Sequence, residues 1–285
     1  MQLAINAAKL SGLNDAETKK IIDAYGQFIP THDMNKTAPE LAAFIQKQLV
    51  LVIQKEDPYA HIKAHSNQAA LAIYEKLVDF ANASSDKLRS GVAVACAGNI
   101  IDYGVATLDF DVEEEIASIV HQIEELADEE HSHLFQIEEL KEALRASKKV
   151  LFVGDNAGEI VFDKLLLTII KELYPHLELF FAVRGAPILN DVIVQDALDC
   201  GIDEVATIID SGVPTPALIL ELASKEFLEL YPSFDLIISK GQGNFEALTE
   251  TDGPIFYLFI TKCQAIMDEI GSSMRQIVLT RHRSV

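Results

Sequence analysis

"KKVLFVGDNAGEIVFDKLLL" spans Lys148–Leu167, and its reading decides the fold. The segment opens as an apolar run, breaks at Gly154, sets Asp155 beside Asn156, and resumes after Glu159 with amphipathic spacing. A strand that passes to a helix across a short glycine-bounded turn is the first half of a βα unit.

The segments that follow repeat the theme. The predicted strands are "KVLFVG" (149–154), "LELFFAVR" (177–184), "EVATII" (204–209), "FDLIIS" (234–239), "IFYLFIT" (255–261) and "QIVLT" (276–280). Helical patterns fill most of the gaps. Near-continuous apolar strands joined by helices imply a mainly parallel sheet covered on both faces.

Upstream the period is helical throughout. "LNDAETKKIIDAYGQFI" places Asn14 three residues before Glu17, the spacing of a capping box. "TAPELAAFIQKQLVLVIQKE" places Pro39 in a first turn, where a missing N–H costs nothing. "QIEEL" occurs at 122–126 and 136–140, but nothing else recurs, so it is shared helix chemistry and not a repeat. The expected fold is α/β: a helical domain over 1–146, then a Rossmann-like three-layer α/β/α sandwich over 147–285.

Composition narrows the function. The chain has 285 residues, with 44 acids against 23 bases and a net charge of −21. Such a surface repels nucleic acid, and the only basic cluster is the tail "RHRSV". No stretch has the ~18 uninterrupted apolar residues of a membrane span. Cys96, Cys200 and Cys263 lie far apart and form no C-x-x-C, so neither a zinc knuckle nor a disulfide framework is suggested. The opening "MQLAINAAKLSGL" has no signal-peptide pattern. A cytoplasmic protein without membrane or nucleic-acid partners is expected.

In an open parallel sheet, ligands bind beyond the carboxyl ends of the strands. Four polar clusters fall there. They are Gly154–Glu159, Arg184–Asp191, Asp210–Gly212 and Ser239–Glu246. Asp155, Asn156 and Asp191 form an oxygen-rich trio suited to a hard divalent cation. Helix capping is the competing reading for all three, because Asp and Asn cap well. Gly154 and Gly158 flank the pair and would admit a ligand to the backbone. Asp210 reads as a turn residue. Lys240-Gly241-Gln242-Gly243-Asn244 offers a cation and backbone N–H groups to a phosphate, with a flexible glycine turn as the plain alternative. A metal trio beside an anion-binding turn suggests phosphoryl chemistry, with Lys240 neutralising charge on the departing group. Glu159 or Glu246 is a candidate to move a proton. "DEEHSH" puts His131 and His133 two residues apart, on different helix faces, and reads as a solvated surface.

"GDNAGEIVFD", "VRGAPILNDV" and "KGQGNFEAL" resemble the damage-control phosphatase family, a former domain of unknown function also linked to an acidic-residue methyltransferase. "CAGNIIDYG" at 96–104 extends the resemblance into the helical half. The resemblance implies a helical domain on an α/β/α sandwich. It also implies a phosphatase that uses Mg2+, Mn2+, Co2+ or Ni2+ and hydrolyses phosphate esters of small metabolites, such as sugar phosphates or damaged intermediates. By motif it implies metal ligation by Asp155, Asn156 and Asp191. Substrate contacts are implied for Asn99, Asp102 and Lys240. At the same strand ends Arg184 and Gly241 are further candidates for substrate contact, and Asp155, Glu159, Asp191 and Lys240 are the expected catalytic residues. Members of the short prokaryotic-type branch carry a C-x-x-C before the first helix, and "MQLAINAAKL" offers no counterpart.

Water attack and a covalent intermediate on Asp155 both stay open at this point. So do two other functions, an S-adenosylmethionine-dependent carboxyl methyltransferase and a non-catalytic binder of metal or metabolite. No glycine-rich adenosine loop follows the first strand.

Overall fold

The computed structural model describes residues 4–5, 8, 12–31, 38–104, 121 and 134–281, and of residues 31, 38–41 and 99–104 the backbone alone. The first long helix, α1 (Asp15–Phe28), opens on the expected capping box: Glu17 N–H donates to Asn14 Oδ1 and Asn14 N–H donates to Glu17 Oε2, both at 3.0 Å. Helix α2 (Ala38–Ile53) has Pro39 in its first turn. Then come α3 (Ala60–Ala72), α4 (Tyr74–Ala83), α5 (Lys87–Gly104) and α6 (Ile137–Ala146). The histidines at 131 and 133, the first "QIEEL" and the basic tail beyond Arg281 lie outside the described residues.

Six strands follow: β1 (Lys149–Val153), β2 (Glu178–Val183), β3 (Thr207–Asp210), β4 (Leu236–Lys240), β5 (Ile255–Ile260) and β6 (Ile277–Thr280). Between them lie α7 (Glu159–Leu173), α8 (Val194–Asp199), α9 (Lys225–Leu230), α10 (Gln242–Leu248) and α11 (Gln264–Ile270). They form one sheet of order β3-β2-β1-β4-β5-β6, parallel except for β6, which runs antiparallel to β5. Strands β4, β5 and β6 are buried along their whole length, which is why they read as unbroken apolar runs. The third strand begins at Thr207, three residues later than its sequence suggests, because Ile202–Glu204 folds into a 3-10 turn after left-handed Gly201.

One apolar cluster runs from α4 and α5 through the sheet to β6. Helix α5 lies close on α7 because it carries glycines at the crossing. A Cβ on Gly91 would stand 2.8 Å from Ile169 Cδ1, and one on Gly98 would stand 3.0 Å from Phe162 Cβ. A second, smaller cluster joins Ile21, Tyr25, Ile45, Leu49 and Tyr59, and Leu189 from the loop after β2 packs against it.

The strand order reverses direction between β1 and β4. A crevice at the carboxyl ends of those two strands is where such sheets hold ligands.

Candidate active site

The loops after β1 and β2 are stitched together by main chain. Ala157 N–H donates to Asn190 O at 2.9 Å, and Val192 N–H donates to Asp155 O at 3.0 Å. The result is an antiparallel bridge between Asn156 and Asp191. Residues 35 positions apart in the chain, as their numbers give, are thus fixed side by side.

Neither loop spends its acids on capping. Helix α7 has Gly158 at its N-cap with no side-chain cap, and α8 has Ile193. Ile193 N–H is satisfied by Asp196 Oδ2 at 3.0 Å, not by Asp191. Asn156 Nδ2 donates to Asp155 Oδ2 at 2.9 Å and, more weakly, to Glu159 Oε2 at 3.5 Å. With its nitrogen facing carboxylates, the amide keeps Oδ1 as the atom able to ligate a cation.

Arg184 takes a position that the sequence does not reveal. It is buried, with Nε 2.8 Å from Asp191 Oδ2 and Nη2 3.1 Å from Asn244 Oδ1. Nη2 also reaches Pro216 O at 3.3 Å and lies 3.9 Å from Asp155 Oδ1. Its observed contacts are with the protein's own acids and carbonyls, where the sequence suggested a substrate contact. Asn244 sits beneath the site as a fully engaged hub. It donates to Gly154 O at 3.3 Å and Lys240 O at 2.7 Å, and accepts from Leu218 N–H and Arg184.

Lys240 points inward from the end of β4. Its ammonium donates to Glu159 Oε1 at 2.5 Å, Asp163 Oδ1 at 2.6 Å and Ala95 O at 3.0 Å. Three donors meet three acceptors. A phosphate contact by Lys240 would therefore replace one of these bonds. Burial opposes its charge, but the Asp163 and Glu159 carboxylates outweigh that and hold the pKa above the usual lysine range. Asp163 is raised to about 7 by burial and by Glu159, against the pull of Lys240.

The glycine-rich stretch runs from the end of β4 directly into a helix. Gly241 N–H is bonded to Leu258 O at 3.1 Å, and Gln242 begins α10. Gly241 has φ +82°, and a Cβ there would overlap the carboxylate of Asp155. Gly154 and Gly158 likewise serve packing: a Cβ on Gly154 would stand 2.6 Å from the Phe181 ring, and one on Gly158 3.1 Å from Ser66 Cβ. Asp210 accepts from Gly212 N–H at 2.7 Å, the turn role expected of it. Glu246 is exposed and paired with Gln242, whereas Glu159 is fully buried between Asn156 and Lys240. Asn99 and Asp102 lie on the backbone of α5, and their side chains are outside the described residues.

Four carboxylates (Asp155, Glu159, Asp163 and Asp191) thus surround two buried cations, Arg184 and Lys240. Asp155 feels the excess. Burial, then Glu159 and Asp191, push its pKa well above the carboxylate range despite Arg184 and the exposed Lys262. Among the described residues no three His, Cys, Asp or Glu side chains gather as a metal-holding group. Two carboxylates and one amide oxygen, completed by water, nevertheless fit a hard divalent cation, which keeps several waters when few side chains bind it.

The family model for the damage-control phosphatase ARMT1-like domain matches residues 1–278. The chain belongs to that family. Damage-control phosphatase PH1575 of Pyrococcus horikoshii is 30% identical over 242 residues, covering 83% of this chain and 78% of the relative. A damage-control phosphatase of Archaeoglobus fulgidus is 31% identical over 240 residues, covering 84% and 80%. The crystal structure of PH1575, described as a DUF89 family protein, superposes with a TM-score of 0.83 at 26% identity, covering 99% of this chain and 96% of that one. The mostly parallel six-stranded sheet and helical N-terminal half are therefore the architecture of this phosphatase family. Among the described residues no helix is long and apolar enough to cross a membrane.

Proposed function

We propose that the protein is a divalent-metal-dependent phosphomonoesterase acting on small, damaged phosphorylated metabolites, with its centre at the β1/β2 loop bridge. The carrying observation is that bridge: it holds Asn156 beside Asp191 at the carboxyl ends of β1 and β2, next to Asp155 and in a surplus of negative charge. Family membership supports the same reading.

In this reading Asp155, Asn156 and Asp191 hold the cation, one of magnesium, manganese, cobalt or nickel. A bound cation would polarise the phosphoryl oxygens and make a water more acidic. Arg184 orients Asp191 through their ion pair. Glu159, which lies between Asn156 and Lys240, is the candidate to move a proton, and Lys240 balances Glu159 and any phosphoryl charge that replaces it. Asn99 and Asp102 would face the substrate from α5. A cytoplasmic setting agrees with three unpaired cysteines, two of them buried.

The test is phosphate release from p-nitrophenyl phosphate and from a panel of phosphorylated metabolites, with each of the four cations. Asp155→Ala and Asp191→Ala should abolish release, and Lys240→Ala should raise KM and also lower stability by stranding Glu159 and Asp163. Full activity in all three variants would place the centre elsewhere. Methyl transfer without metal that survives Asp155→Ala would favour the methyltransferase alternative.

A further inference from the structure

The helical half reaches both loops of the site through polar contacts that the reading above does not use. Gln46 on α2 grips the loop after β2 with both ends of its amide. Its Nε2 donates to Pro187 O and its Oε1 accepts from Leu189 N–H, each at 3.3 Å. Leu189 itself holds φ +47°, an uncommon conformation for a non-glycine residue, two positions before Asp191. Its partly buried side chain is packed on the small cluster of α1 and α2.

Asn67 on α3 does the same for the loop after β1. Its Oδ1 accepts from Gly158 N–H at 2.6 Å, and the side chain is 5% exposed. The donor is a backbone N–H, so the amide orientation is settled by chemistry. One turn earlier on the same helix face, Lys63 is buried and pairs with Asp57 at 2.7 Å and Asp196 at 2.8 Å. Asp196 is the acid that caps Ile193, two residues beyond Asp191.

We infer that Gln46 and Asn67 are positioning residues for the metal-ligand loops, with Lys63 anchoring the face that carries Asn67; the helical half sets the ligand spacing and is more than a cover. The inference rests on the functional reading above. The physical case is that the inter-loop bridge joins the two loops only to each other. Gln46 holds one of them from α2, and Asn67 the other from α3. A ligand loop held in a strained turn needs such outside support to keep its geometry.

The experiment compares Gln46→Ala, Asn67→Ala and Asn67→Asp with wild type. Asn67→Asp keeps the acceptor for Gly158. Leu77→Ala, a core truncation in the helical half, serves as a control for general destabilisation. Two readouts are taken: Mn2+ affinity by electron paramagnetic resonance titration, and amide exchange of the metal-free protein. Gln46→Ala and Asn67→Ala should weaken Mn2+ binding by about tenfold or more. Asn67→Asp should recover most of that loss. Exchange should rise at Leu189 in the first variant and at Gly158 in the second, and Leu77→Ala should do neither. If Asn67→Ala does not fold, Asn67→Ser withdraws the oxygen more gently and takes its place.

Mn2+ affinity within twofold of wild type, or a loss matched by Leu77→Ala, would overturn the inference. Wild-type protein that takes up no Mn2+ would sink the metal reading instead, and positioning would then be judged on exchange alone: unchanged protection at Leu189 and Gly158 would end it.

Discussion

Arg184 Nε lies 2.8 Å from Asp191 Oδ2, and both side chains are buried. The pair lies at the end of β2, and the same guanidinium stands 3.9 Å from Asp155 Oδ1, so one cation faces two carboxylates. The same guanidinium also reaches Asn244 Oδ1 at 3.1 Å, which ties it into the frame of the site.

Removing that guanidinium should leave Asp191 buried and uncompensated. Arg184→Met is expected to cost about 3–5 kcal/mol of stability in the metal-free protein. Added Mn2+ should restore part of the loss, because it supplies positive charge at the same acids. Denaturant melts with and without Mn2+ check both halves. Arg184→Lys should not rescue fully, since a point ammonium cannot bridge Asp191 and Asn244 as a fork does.

Lys240 carries the second buried network. Lys240→Met should destabilise by about 3–5 kcal/mol, by stranding Glu159 and Asp163. The triple variant with Glu159→Gln and Asp163→Asn should recover most of that stability while remaining inactive. Comparing single, double and triple variants by chemical denaturation separates charge balance from catalysis.

Asp163 predicts a pH effect. Its folded-state pKa is raised to about 7, so the folded protein binds this proton more tightly than the unfolded chain does. The contribution is fully present below the unfolded value of 3.8 and is lost as pH rises towards about 7. Asp163→Asn removes the titration, so its melting temperature relative to wild type should improve between pH 5 and pH 7.5. A gap that is constant or widens the other way contradicts the assignment.

Two nearby glycines should behave oppositely. Gly241→Ala meets both a positive φ and the Asp155 carboxylate, so it should lose at least about 1–2 kcal/mol and weaken Mn2+ binding. Gly243→Ala lies in α10 with its nearest neighbour 3.5 Å away, and should be neutral or gain up to about 1 kcal/mol. Thermal melts and Mn2+ titration of the two variants give the comparison.

Much of this architecture is visible in the chain. The six apolar runs became the six strands, and β4, β5 and β6, buried along their whole length, leave no alternation to misread. Asp155, Asn156 and Asp191 could be grouped because each follows a strand, and strand ends share one edge. What stayed hidden depends on contacts made across the chain. Lys240 looked like an open cation because Glu159 and Asp163 reach it from a helix some 80 residues earlier. The closeness of Gly241 to Asp155 was equally hidden, because it is set by the β1–β4 pairing. Asn67 gave a faint signal, standing four residues after Lys63 on one helix face, and Gln46 gave none.

Anomalous diffraction from crystals soaked in Mn2+ tests the central claim most directly. The account predicts one strong peak between the β1 and β2 loops, within roughly 2–2.5 Å of oxygens from Asp155, Asn156 and Asp191. It also predicts that the peak vanishes in Asp155→Ala. An empty crevice at saturating Mn2+, or a peak elsewhere that survives that substitution, would contradict it.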